Sequence, residues 1–183
     1  QSNDEGYYAM PQLQPGQYQL TAQKQGFKPV TRSGIVLQVG DRLTLNLPLE
    51  VGSAAESVTV TAETPLLRTE DAQTGIVIDN RRIQQLPQYN RNALAFAALA
   101  PNVNGSAEQG NYGTDFRVNG GRTNETEYII DGIAVTTGYK HEVPPSVPSM
   151  EAVSEFKVVT NGLSAEMGRL SGGAVLLATK SGT

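Results

Sequence analysis

The chain has 183 residues, a formal net charge of −4 and a pI near 5.0. Cysteine is absent and His141 is the one histidine, which excludes disulfides, iron–sulfur clusters, thiolate metal sites and any site that needs two histidines. The acidic balance argues against nucleic acid, which asks for a clustered basic surface. No apolar run approaches the roughly 20 residues of a membrane helix. The polar, acidic start Gln1-Ser2-Asn3-Asp4-Glu5 is not a signal peptide, so the expectation is an intracellular, already processed or fragmentary chain. With 19 glycines, 10 prolines and 6% aromatic residues, short strands and many turns are expected.

Residues 1–51 read as strands only. Tyr18, Leu20 and Ala22 alternate with polar neighbours after the Pro15-Gly16 turn signal. Ile35 to Val39 is a second apolar run, closed by Gly40-Asp41. Leu43, Leu45, Leu47 and Leu49 then alternate with Thr44, Asn46 and Pro48. Period two specifies a strand with one buried face and one wet face. Turns about every ten residues suggest a β-sandwich. Only about three or four strands are present, against about seven in an immunoglobulin-like sandwich. The leucine face therefore lacks an opposing sheet.

Residues 52–65 form a connector whose Val and Thr favour an extended chain. A sheet edge and a free arm are both open readings. From residue 66 the texture is mixed α and β. Strands are expected over 75–78, 116–118, 156–160 and 174–179. Asp79 is placed as the N-cap of a helix through Ile83 and Leu86, stopped by Pro87. A second helix spans about 92–99. Residues 105–113 and 136–149 read as loops. Tyr128-Ile129-Ile130, Asp131-Gly132, Ile133-Ala134-Val135 is a hairpin signal, because Asp-Gly suits a type I′ turn. Ser149 is read as the cap of a short helix through Ala152, and residues 165–167 as at most one helical turn.

The search for an enzyme is nearly empty, and no enzyme is expected. His141 lies between Lys140 and Glu142 in a loop, and no serine stands in a nucleophile elbow, so no catalytic triad is assembled. Asp131 holds a turn position where Asp is chosen for backbone reasons. Glu125 and Glu127 flank a strand, and Glu151 with Glu155 would share a helix face; all read as surface charges. Gly120-Gly121 and Gly172-Gly173 lack the Lys-Ser or Lys-Thr of a phosphate loop. Asp115, Asn119, Asn124 and Asp131 do not match an EF-hand spacing. No metal or cofactor is expected. Arg117, Arg122, Arg169 and Lys180, with Glu127 and Glu166, lie inside or beside apolar strands; surface pairing is their expected state, and packing of this face against a wet, polar partner wall is the alternative.

Four words in order carry a family resemblance: Asn119-Gly120-Gly121-Arg122, Tyr128-Ile129-Ile130-Asp131-Gly132-Ile133, Val153-Ser154-Glu155-Phe156-Lys157-Val158, and the closing run from Gly172-Gly173 to Thr179-Lys180-Ser181-Gly182. Together they resemble the plug domain of TonB-dependent outer-membrane transporters over about residues 62–183. Gly6-Tyr7-Tyr8, Leu13-Gln14-Pro15-Gly16-Gln17-Tyr18 and Gly26-Phe27 resemble the carboxypeptidase regulatory-like domain that precedes the plug in one branch. Leu66-Leu67 and Asn90-Arg91-Asn92 look like that branch too.

The resemblance implies a mixed α+β chain. A truncated Ig-like or transthyretin-like sandwich over 1–51 leads through a linker over 52–65 to an α/β plug-type domain over 66–183. It implies a plug that fills and gates a barrel of about 22 strands and passes force from TonB. Glu56, Ser57, Val58, Thr59, Val60, Thr61 and Ala62 look like a TonB box, which pairs as an extended strand with TonB. The alternative, an ordinary strand joining two domains, stays open. The implied partners are TonB and the transporter's own barrel, at the outer membrane, with no nucleic acid. The barrel and the front of the regulatory-like domain are missing from the sequence, so a piece cut at both ends is expected.

A second reading makes the piece a structural subunit, possessed of an open leucine face at Leu43, Leu45, Leu47 and Leu49. A strand donated by the next copy, with residues 55–62 as donor, would complete the sandwich and generate an extracellular filament. A third, a carbohydrate- or peptide-binding sandwich, explains only residues 1–50.

Overall fold

The computed structural model describes residues 2–52, 58–61, 73–86, 92–105, 116–123, 125–136, 147–163, 167 and 172–181. In its N-terminal part, β1 (Gly16–Ala22) pairs antiparallel with β2 (Val30–Leu37). A register shift lies between Tyr18 and Leu20, and the Thr21 and Thr31 hydroxyls meet at 3.2 Å. Strand β3 (Val58–Thr61) adds to the other side of β2 in parallel, giving the order β1-β2-β3.

Among the described residues these strands form a single three-stranded sheet, and the truncated sandwich stays an expectation. The expected leucine strand is corrected. Leu43, Leu45, Leu47 and Leu49 are half-buried and the residues between them exposed, so the alternation holds, but the segment joins no ladder. Period two reports which way side chains point, and says nothing of whether the backbone has a neighbour to pair with. The segment's end is tied by the Phe27–Val51 bridge and by bonds from Lys28 N–H to the Glu50 carbonyl (2.8 Å) and from Gly52 N–H to the Gly26 carbonyl (3.2 Å).

The remainder builds a five-stranded sheet in the order β4-β9-β10-β7-β8. Its strands are β4 (Thr74–Asp79), β7 (Glu127–Ile130), β8 (Ile133–Ala134), β9 (Val153–Asn161) and β10 (Ala174–Thr179). Only β10 and β7 are parallel; the other pairs are antiparallel. The short pair β5 (Val103–Asn104) and β6 (Arg117–Val118) stands apart; β5 was not expected from the sequence. On one face Ile78, Phe156, Val158, Val175 and Leu177 pack with Ile83, Leu94, Phe96, Phe116 and Val118. On the other, Val159, Ala174, Leu176 and Ala178 form a second cluster. Strand β10 is buried on both faces, which explains its unbroken apolar run.

Helix α1 (Asn80–Gln85) starts at Asp79, whose carboxylate accepts the Arg82 N–H at 2.9 Å, and ends at Leu86. The second expected helix is a 3₁₀ helix, Ala93–Leu99, capped by Asn92. Ser149 does not start a helix. It bridges to Asn92, and its carbonyl accepts the Ala152 N–H in a turn that feeds β9. Glu151 and Glu155 therefore share no helix face. The hairpin at 131–132 forms as expected, with φ of +50° at Asp131 and +81° at Gly132.

Candidate functional site

Two features of the N-terminal part bear on function, and both sit on β2. The first is the arm. Val58, Thr59, Val60 and Thr61 pair in parallel with Val30, Thr31, Arg32 and Ser33. Of the open readings for 52–65, the sheet edge is the one found over β3. Among the described residues β3 has a ladder neighbour on one side only, so its other backbone edge is a template for a further strand. Glu56, Ser57 and Ala62 lie outside the described residues.

The second feature is the turn 38–41, where β2 ends. The Asp41 carboxylate accepts the Gln38 N–H at 3.1 Å, and the Asp41 N–H donates to the Gln38 carbonyl at 3.1 Å. Gly40 has φ +73°, and a Cβ there would stand 2.5 Å from Leu176 Cδ2. The turn thus lies against the five-stranded sheet. Val39 is buried in the cluster with Val159, Ala174, Leu176 and Ala178, and its N–H donates to Glu155 Oε2 at 2.7 Å. Lys157 Nζ lies 3.3 Å from Asp41 Oδ1, with the two side chains only 7% and 2% exposed. Charges so enclosed need a partner, because removing them from water costs several kcal/mol each (about).

Sequence reasoning named Val39, Gly40, Asp41, Glu155 and Lys157 but did not bring them together, and it read Glu155 as a surface charge, whereas Glu155 is buried. The signal available was the charged Glu155-Phe156-Lys157 alternation inside an apolar strand. Of the strand-associated charges expected to be surface-paired, Arg117, Arg122 and Lys180 are exposed. Glu127 is not: it is 9% exposed, and its Oε2 has no hydrogen-bond partner. Arg169 and Glu166 lie outside the described residues.

Beside the turn opens a cleft of about 970 Å³, lined by Tyr8, Leu13, Leu37, Leu43, Leu45 and Ile133 among others. The Tyr8 hydroxyl donates to the Leu45 carbonyl at 2.6 Å. Burial pushes the Tyr8 pKa above its ordinary value, against the opposing charge of Arg32. Asp131, at its rim, is engaged by Thr179: Oδ1 accepts the N–H and Oδ2 the hydroxyl, both at 2.8 Å. His141 lies outside the described residues. Among the described residues no group of three or more His, Cys, Asp or Glu side chains is placed to hold a metal.

The glycine motifs serve close backbone approach. A Cβ on Gly172 would meet the Glu125 carbonyl oxygen at 2.5 Å, and one on Gly173 the Val159 carbonyl oxygen at 2.7 Å. The Asn119 side-chain amide donates to the Thr160 carbonyl, tying the 119–121 turn to β9.

The carboxypeptidase regulatory-like domain matches residues 1–50, and the TonB-dependent receptor plug domain matches residues 68–175. The TonB-dependent transporter Oar of Myxococcus xanthus is 30% identical over 187 residues, covering 98% of this chain. The chain spans 17% of that relative's length. A crystal structure of a mutant ferric enterobactin receptor from Pseudomonas aeruginosa aligns with a TM-score of 0.45 and 17% identity, over 61% of this chain and 18% of that one. TonB-dependent transporters sit in the outer membrane and work with TonB and their own barrel. The chain belongs to the TonB-dependent transporter family, carrying its plug domain behind a carboxypeptidase regulatory-like domain.

Proposed function

We propose that this chain is the periplasm-facing and plug segment of an outer-membrane transporter, divided into a regulatory-like domain over 1–51, a connector over 52–65 and a plug over 66–183. The plug gates the barrel, and residues 56–62 are the strand offered to TonB. The observation that carries the second part is the edge position of β3. An edge strand can accept a partner by main-chain hydrogen bonds alone, whatever its side chains. In the transporter that contains this segment, Val58→Pro removes a ladder donor and fixes φ. Energised uptake is expected to collapse while substrate still binds at the cell surface. Undiminished uptake by Val58→Pro removes the segment from this role.

The extended segment 41–50 favours a second reading, a subunit that polymerises by strand exchange. It keeps a half-buried leucine row and has no ladder neighbour among the described residues. The described part of the donor considered for it, β3, is however paired with β2 of its own chain. Size-exclusion chromatography and electron microscopy of residues 1–183 decide this reading: filaments support it, and a stable monomer ends it.

A further inference from the structure

We propose that the second face of the plug sheet is a docking surface for the turn 38–41, and that β2 couples the arm to the plug through it. Strand β2 holds β3 over Val30–Ser33, at its beginning, and enters the turn just past Leu37, at its end. Its 8 residues span roughly 25 Å as an extended strand. At the far end, three different contacts hold the turn. Asp41 meets Lys157, the Val39 N–H meets Glu155, and Gly40 closes onto Leu176.

These contacts reach the middle of the plug sheet rather than its rim. Strand β9, which bears Glu155 and Lys157, is bonded on both sides, to β4 and β10, and Leu176 lies on β10. Glu155, Lys157 and Val159 recur at every second position of β9, so they share one face. Val159 belongs to the apolar cluster of that face. A buried lysine and glutamate beside such a cluster are explained by an occupant that carries a matching carboxylate and a free N–H. Asp41 and Val39 supply both from 116 residues away in sequence. A buried pair of this kind contributes little net stability, yet it penalises every other placement of the two charges. The joint therefore fixes where the regulatory-like domain sits on the plug. A pull on the arm that β2 retains reaches β9 and β10 directly, in addition to the covalent connector.

The docking can be measured without any reading of residues 56–62. The chain has no cysteine, so Gln17→Cys and Arg81→Cys, both exposed, report the spacing of the two parts by spin-label distance measurement. Docking gives one narrow distance distribution. Asp41→Lys sets two cations together and broadens it, with unchanged far-ultraviolet circular dichroism. The exchange Asp41→Lys with Lys157→Asp narrows it again. A broad distribution in the parent chain, or a narrow one in Asp41→Lys, overturns the docking; the parent measurement decides even where a variant fails to fold. The coupling rests on residues 56–62 being the TonB strand, and uptake by the transporter separates the two claims. Loss of uptake in both Val58→Pro and Asp41→Lys, with the latter rescued by the exchange, supports the coupling. Loss in Val58→Pro with normal uptake in Asp41→Lys overturns the coupling alone. Normal uptake in Val58→Pro overturns the arm and the coupling together, and leaves the docking to the distance measurement.

Discussion

Asp131 shows how a residue that looks chemical does structural work. Its backbone takes φ +50°, in the left-handed region where Asp and Asn are tolerated better than other non-glycine residues. Its N–H donates to the Leu177 carbonyl at 2.9 Å, and both carboxylate oxygens hold Thr179. One residue thus turns β7 into β8 and clamps the end of β10. Asp131→Ala removes both side-chain bonds and puts alanine at positive φ. It should cost about 1–2 kcal/mol, discounted from the sum of the bonds because the site is exposed. Asp131→Asn keeps the turn preference and one acceptor, so it should cost about half as much. Chemical denaturation of the three chains checks the order. Equal stability of Asp131→Ala and the parent would show that the clamp contributes nothing. The Asp-Gly pair was legible in the sequence because its cause is local. The clamp on Thr179 was not, because its partner lies 48 positions away.

At the scale of elements, legibility follows the source of the stabilisation. Strand β10 was readable to the residue, since a strand buried on both faces must be apolar throughout. Helix α1 was readable from Asp79, a cap that acts within one turn. The 3₁₀ helix Ala93–Leu99 was readable as a helix but not as its type. Ala93, Leu94, Phe96 and Ala97 are all buried in it, a spacing that one face of an α-helix satisfies as well, so the pattern marks a helix without telling its type. Ser149 misled for the complementary reason. Serine starts helices and turns by the same local bonds, and here the bridge to Asn92 and the entry into β9 select the turn. For Leu43, Leu45, Leu47 and Leu49 the side-chain pattern was right and the strand was not. A ladder is a property of two segments, and alternation belongs to one.

Across the whole molecule, the seam between the two parts was invisible in sequence. Its contacts join residues 116 apart, and neither the Gly40-Asp41 turn signal nor the Val153–Val158 word that contains Lys157 points to the other. The two sides of that seam differ sharply in burial. Strand β9 is buried at Val153 and from Glu155 through Thr160, and β10 from Ala174 through Ala178. In the N-terminal part, among the described residues, Val30, Ile35 and Val39 are the buried apolar residues, while Tyr7, Met10, Leu13 and Val36 are exposed at 73%, 53%, 46% and 51%. A region with few buried apolar contacts opens at lower free energy than the core. Amide hydrogen exchange should therefore rank the chain in two tiers. Val158 and Leu176 should exchange only through global unfolding, with protection that falls as denaturant exposes the whole chain. Leu20 and Val36 should exchange through a smaller opening that leaves β9 and β10 intact, and Asp41→Lys should speed that tier alone. Equal protection of β1 and β10 in the parent would show a single cooperative unit, with the turn 38–41 as an ordinary part of one core rather than a joint between two.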